Sequence, residues 1–162
     1  MSRIEPERPD IQAVVLTPAH ELTIQIYRVA SELARESGLD TRIQPLIGGV
    51  AVSRQIEGLK KKPHMVIGSA GRIAYLMDLG KLKPRCVRWM IFDEADRLLA
   101  EESMAHIRRI AAAPEKAPCH VFISATEKPG AIRAARELAP DMELLKVHKE
   151  RINPAIDRKT HV

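Results

Sequence analysis

Asp93-Glu94-Ala95-Asp96 stands at the end of an apolar run, residues 87–92 (VRWMIF), and sets three carboxylates where a buried strand should stop. Carboxylates in such a place are costly unless a cation uses them. In open α/β sheets the carboxyl ends of strands are where ligands bind. Without nearby Cys or His, these oxygens suit a hard ion such as Mg²⁺ better than zinc.

Four other segments carry residues able to do chemistry. Thr17-Pro18-Ala19-His20-Glu21-Leu22, with Gln25 following, reads as a strand running into a helix whose free N–H groups can face an anion. Plain helix capping explains it as well. Gly48-Gly49 permits close approach of backbone to a ligand, or simply a turn. Gly68-Ser69-Ala70-Gly71-Arg72 joins small residues, a helix start and a guanidinium, which makes a phosphate cradle or a solvated corner. Ser124-Ala125-Thr126 ends the strand expected beside the acidic one, so its two hydroxyls can bond the carboxylates or cap the segment that follows.

These segments need a scaffold, and the chain supplies alternating apolar runs and helical patterns. Strands are expected at residues 13–16, 42–47, 65–67, 87–92, 120–123 and 142–147, with Pro45 arguing that the second lies at a sheet edge. Thr17 should cap the first helix and Pro18 should start it, with Leu22, Ile26, Val29 and Leu33 on its apolar face and Gly38 closing it. Further helices are expected around 53–59, from 71 to 77, after 92 through about 112, and over 129–138. Residues 60–63 read as a solvated turn. The expected fold is α/β, a mainly parallel sheet covered on both faces. Residues 1–12 form a polar leading segment, 13–148 one domain, and 149–162 a polar tail.

Composition narrows the function. A net charge of +5 favours a polyanionic partner. The aromatic share is only 3%, namely Tyr27, Tyr75, Trp89, Phe92 and Phe122. A binder that stacks single-stranded bases needs more rings, so nucleic acid would be gripped by its phosphates. Two cysteines, Cys86 and Cys119, make neither a disulfide framework nor a zinc spacing. No secretory leader or membrane span is visible, so the expected location is cytoplasmic.

Taken together and in order, the PxxELxxQ helix start, the Gly-Gly with Gln55 six residues on, GSAGR, DEAD and ISAT resemble the first RecA-like domain of the DEAD-box ATP-dependent RNA helicases, from about residue 13 to 147. The resemblance implies a three-layer αβα sandwich, with ATP and Mg²⁺ as cofactors and RNA as partner. It implies that Asp93 holds Mg²⁺, largely through water, and that Glu94 orients and deprotonates the attacking water, in keeping with phosphoryl-transfer logic. Asp96, Ser124 and Thr126 would couple nucleotide state to RNA binding. Pro18, His20, Glu21, Gln25, Gly48, Gly49, Gly71 and Arg72 would line a sequence-independent RNA backbone path.

The chain also departs from the family pattern. Ala19 and His20 stand where the family has a hydroxyl and a guanidinium, and a neutral His does not replace an Arg fork on phosphate. Ala70 stands where the family has proline. No G-x-x-x-x-G-K-[ST] occurs, and the ten residues before Ile11 are too few for the strand, loop and helix that would carry it. The domain is therefore expected to be N-terminally truncated, to lack the second RecA-like domain, and to be inactive as an ATPase by itself. Without the P-loop strand, residues 120–123 become an apolar edge inviting dimerisation or strand exchange. The alternative is a non-catalytic RNA-binding or regulatory module. A receiver-like domain ranks far behind, because it needs an acidic pocket with a Lys and only one acidic cluster is present.

Overall fold

The computed structural model describes residues 4–146. Five four-residue strands alternate with helices: β1 (Ala13–Leu16), α1 (His20–Glu36), β2 (Ile43–Leu46), α2 (Val52–Lys60), β3 (Met65–Gly68), α3 (Ala70–Asp78), β4 (Trp89–Phe92), α4 (Ala95–Leu98), α5 (Glu101–Ala111), β5 (Cys119–Phe122) and α6 (Pro129–Leu138). All pairings are parallel, in the order β2-β3-β1-β4-β5. Every strand therefore ends at the same side of the sheet.

The central strands are short apolar runs because both faces are buried. Val14, Leu16, Val66, Met90 and Phe92 point into a core completed by Ile73 and Leu76 of α3, Ile107 and Ile110 of α5, and Ala135 of α6. The alternate residues Ala13, Val15 and Ile67 face the other way, where α1 packs on β2 and β3. That second layer is incomplete. Beyond β1, Trp89, Ile91 and Val121 are half-buried and Ile123 is 50% exposed.

Pro45 sits where expected, on the outer strand β2, which has no ladder bond to lose on its open side. Gly68 ends β3 in a tight place: a Cβ there would lie 2.2 Å from the Leu46 carbonyl oxygen. Residues 4–12 fold beneath the sheet, with Gln12 Nε2 donating to the Glu5 and Arg8 carbonyls at 2.7 and 3.2 Å.

Three expectations need correction. Helix α1 starts at His20 with extended Ala19 as its N-cap, not at Pro18 behind Thr17. The Thr17 hydroxyl is committed elsewhere, 2.6 Å from Thr23 Oγ1. That pairing turns Thr23 inward, and Val29 and Leu33 are left 52% and 61% exposed. Residues 142–146 form no strand; the expected sixth strand's last residue, Val147, and the tail 149–162 lie outside the described residues. Consequently β5 is an edge strand among the described residues.

Candidate functional site

Five connections gather at the strand ends: residues 17–19, 47–51, 69, 93–94 and 123–128. Backbone bonds weld the last two. Asp93 N–H donates to the Leu16 carbonyl at 3.0 Å, and Ala95 N–H to the Ile123 carbonyl at 2.8 Å. The acidic turn is thereby fixed to both β1 and β5.

The three carboxylates diverge. Asp93 Oδ1 accepts the Glu94 N–H at 3.0 Å. Glu94 occupies the left-handed region, φ 47° and ψ 50°, as the N-cap of α4, and its Oε2 lies 2.8 Å from Arg97 Nη1. A non-glycine residue there costs roughly 1–2 kcal/mol. Asp96 turns toward β5. Its Oδ2 accepts from Thr126 Oγ1 at 2.6 Å and lies 3.5 Å from Lys128 Nζ. The Thr126 hydrogen bond, aided by Ser124 and Lys128, holds the Asp96 carboxyl below the usual carboxylate range despite its partial burial. Ser124 Oγ donates to the Thr126 carbonyl at 2.7 Å and accepts its N–H at 3.3 Å, which fixes the turn carrying Thr126.

No group of three His, Cys, Asp or Glu side chains converges as a metal cage among the described residues. The donor set instead suits Mg²⁺ held by one or two carboxylates, with phosphate and water completing the octahedron. Of the three carboxylates, Asp96 is taken up by Thr126 and Lys128 and Glu94 by Arg97, which leaves Asp93 without a cationic partner among the described residues.

A second group of site residues meets in a cleft of about 460 Å³ lined by Gly48, Val52, Ser69, Gly71, Arg72 and Tyr75. Ser69 caps α3 by accepting the Arg72 N–H at 3.4 Å. The Arg72 guanidinium lies 6.0 Å from the Tyr75 ring centroid, and its Nη1 is buried without a hydrogen-bond partner. An unpaired guanidinium N–H is a donor whose hydrogen bond an anion can supply. Gly49, at φ 78°, requires glycine, while Gly71 does not: a Cβ there meets only His106 Cδ2 at 3.9 Å. Pro18 is half-buried beside the first turn of α1, and His20, Glu21 and Gln25 are exposed along that helix.

Two residues that shape the site carried no assigned role in the sequence. Gln55 is 2% exposed, and its Nε2 donates to the Ile47 and Val50 carbonyls at 2.8 and 3.2 Å, which clamps the Gly48-Gly49 turn. A Gln inside a short amphipathic helix just after two glycines is the signal that points to it. Thr23, one helical turn after Ala19, bonds both Thr17 and the Ala19 carbonyl and so holds the first connection.

The DEAD/DEAH box helicase family model matches residues 1–133. This chain belongs to the DEAD/DEAH box helicase family. Among curated relatives, it is 36% identical over 151 residues to the probable ATP-dependent RNA helicase YfmL of Bacillus subtilis, covering 93% of this chain and 40% of that protein. It is 35% identical over 147 residues to the DEAD-box ATP-dependent RNA helicase CshC of Bacillus cereus, covering 91% and 37%. A DEAD box protein from the hyperthermophile Methanococcus jannaschii superposes with TM-score 0.72 at 30% identity, over 85% of this chain and 37% of that one. Saccharomyces cerevisiae Dbp5, solved with Nup159, Gle1, IP6 and ADP, shares the fold with TM-score 0.74 at 22% identity, over 86% and 36%. The parallel sheet is thus that of a RecA-like helicase domain, and the chain spans about two fifths of the length of these relatives.

Proposed function

We propose that this domain is the RNA-gripping part of an ATP-dependent RNA helicase and holds the Mg²⁺ and water half of its ATPase site. The observation that carries the reading is the Thr126–Asp96 hydrogen bond. It joins the β5 turn to the acidic turn as one unit, at the same sheet end as the Gly48/Arg72 cleft. Such a unit can tie what happens at a nucleotide to what happens at RNA. Asp93 would hold Mg²⁺, mostly through water, and Glu94 would orient the attacking water and take its proton. Bound Mg²⁺ neutralises charge on the ATP phosphates. Pro18, His20, Glu21, Gln25, Gly48, Gly49, Gly71 and Arg72 would face the RNA backbone, and binding of this kind is independent of sequence.

The 162 residues include no Lys-bearing phosphate loop, and their relatives are more than twice as long, which leaves room for a second RecA-like domain. These residues by themselves should therefore bind RNA without hydrolysing ATP. The experiment is duplex-RNA binding by fluorescence anisotropy together with RNA-stimulated phosphate release. Arg72→Ala should weaken binding, and phosphate release should stay at background. Release by the chain that disappears in Glu94→Gln would overturn the inactivity. Unchanged binding in Arg72→Ala would overturn the RNA path.

The open edge of β5 supports a further part of the reading, a dimer or strand exchange between chains. Its outward His120 and Phe122 backbone groups have no neighbouring strand among the described residues. A concentration-independent monomer mass by light scattering would refute it.

A further inference from the structure

The end of the sheet opposite the site carries a cationic excess: the described connections into the strands hold nine Lys or Arg against five Asp or Glu, and the excess is concentrated in two of them. The connections into β3 and β4, residues 61–64 and 79–88, carry six Lys or Arg and no Asp or Glu. The connections leaving the strands carry Asp93, Glu94 and Glu127 against one cation, Lys128. The basic loops are also held in place. One row of backbone bonds crosses this floor: His64 N–H to the Arg42 carbonyl, Gln12 N–H to His64, Arg88 N–H to Gln12, and Cys119 N–H to Arg88, each 2.8 Å. Residues 64 and 88 thus flank residue 12, two strand spacings or roughly 10 Å apart.

The lysine turn is fixed more firmly than solvation requires. Arg42 Nε donates to the Lys61 and Lys62 carbonyls at 3.1 and 3.2 Å. Lys62 adopts φ 53° just after α2, where α1 and α3 are each followed by a left-handed glycine, Gly38 and Gly80. A Lys held in a glycine's conformation is a local rule broken, which is expected where a side chain has a task. Lys61, Lys62, Lys81, Lys83, Arg85 and Lys116 are all exposed and form no ion pair among the described residues. Between the two basic arms, Arg8 and Arg88 are already neutralised by Glu5 and Asp10.

We infer that this floor is a second RNA-binding surface, one that grips the phosphate backbone of a duplex on the side away from the Gly48/Arg72 cleft. The choice of RNA as the polyanion rests on the function proposed above. The basic loops hold no aromatic residue and no helix, so they lack the amphipathic helix that enters a lipid surface. Exposed, unpaired cations on two backbone-anchored loops can meet successive phosphates instead.

The test measures duplex-RNA binding by the 162-residue chain across 50–200 mM salt. The variants are Lys81→Gln/Lys83→Gln/Arg85→Gln and, separately, Arg72→Ala. Each lost phosphate contact lowers the slope of log K against log salt by about 0.9, so the triple variant should flatten it by roughly 2.7. The double variant Lys81→Arg/Lys83→Arg, with Arg85 kept, should retain the slope, which separates charge from misfolding. Losses from the triple variant and Arg72→Ala should add, as independent surfaces require. An unchanged slope in the triple glutamine variant overturns the inference, even if Arg72→Ala weakens binding. So does loss of binding to anionic phosphatidylserine vesicles with RNA binding intact. Failure of the cleft reading shows separately, as an unaltered affinity in Arg72→Ala.

Discussion

Replacing Gly68 by Ala tests how β3 delivers the Ser69–Arg72 corner to the site. A Cβ at Gly68 would lie 2.2 Å from the Leu46 carbonyl oxygen and 2.9 Å from Leu46 Cβ. Leu46 is fully buried and paired with Gly68 in the β2–β3 ladder, so neither partner is a side-chain tip free to swing away. Relief to an ordinary contact needs the strands to part by roughly an ångström, because carbon and oxygen rarely approach within about 3.3 Å. Overpacking of this kind costs roughly 1–3 kcal/mol. Parting the strands also strains the Thr17 N–H bond to the Gly68 carbonyl, 3.1 Å long, worth about 1 kcal/mol. The expected loss is about 2–4 kcal/mol, or a fall in Tm of roughly 6–12 °C for a chain of this size. Calorimetry or thermal circular dichroism reads it directly. Gly71→Ala is the matched control, since its Cβ meets only His106 Cδ2 at 3.9 Å and it lies inside α3, where Ala is favoured. A Tm for Gly68→Ala within 2 °C of the parent would refute the close-approach argument.

Three other perturbations follow from the same structure. Thr126→Val removes the hydroxyl that holds Asp96 ionised, so the Asp96 pKa should rise toward its ordinary value. Since a depressed carboxyl stabilises the fold above its unfolded pKa and stops doing so as pH falls, the stability gap between parent and variant should narrow from pH 7 to pH 3, read by urea denaturation. His64 is fully buried and its pKa is pushed down by burial and then by the Arg42 guanidinium, against the Pro6 carbonyl and Asp40. The unfolded ring takes up a proton near pH 6.5 that the folded ring refuses, so stability should decline as pH drops from about 7 through 6.5 toward the lowered value. His120, pushed down by burial, acts in the same direction, and His64→Gln should leave a shallower pH slope. Gln55→Ala unclamps the Gly48-Gly49 turn at a cost of about 1–3 kcal/mol, and faster amide hydrogen exchange across 47–51 is the expected sign.

Parts of this fold were legible because parallel strands buried on both faces leave short apolar runs bounded by Gly, Pro and polar residues. Ala13–Leu16 and Pro129–Leu138 could be read to the residue. The acidic turn and the Ser124/Thr126 turn were legible as partners, since adjacent parallel strands bring their ends together. What failed depended on contacts that no local pattern encodes. Leu33 belongs to an apolar stripe, yet α1 is rolled by the Thr17–Thr23 hydroxyl pair and shows that stripe partly to solvent. Residues 142–146 include Met142, Leu144 and Leu145, an apolar spacing that suggests a strand, but a strand exists only where a neighbour accepts its hydrogen bonds. The grouping of Asp96 with Thr126, apart from Asp93 and Glu94, was expected from the resemblance, whereas its second partner Lys128 was not, because that contact is set across the turn. The clamp by Gln55 shows the reverse case, a residue visible in the motif whose task only the packing reveals.

The left-handed backbone at Glu94 has a consequence for anyone evolving this domain. Glycine tolerates φ 47° without penalty, so a screen that rewards heat resistance alone should favour Glu94→Gly. The winners of such a screen would be sturdier and would have discarded the carboxylate proposed to ready the water. Selection for robustness and selection for turnover pull position 94 in opposite directions, which makes it the place to look first when a hardened variant falls silent.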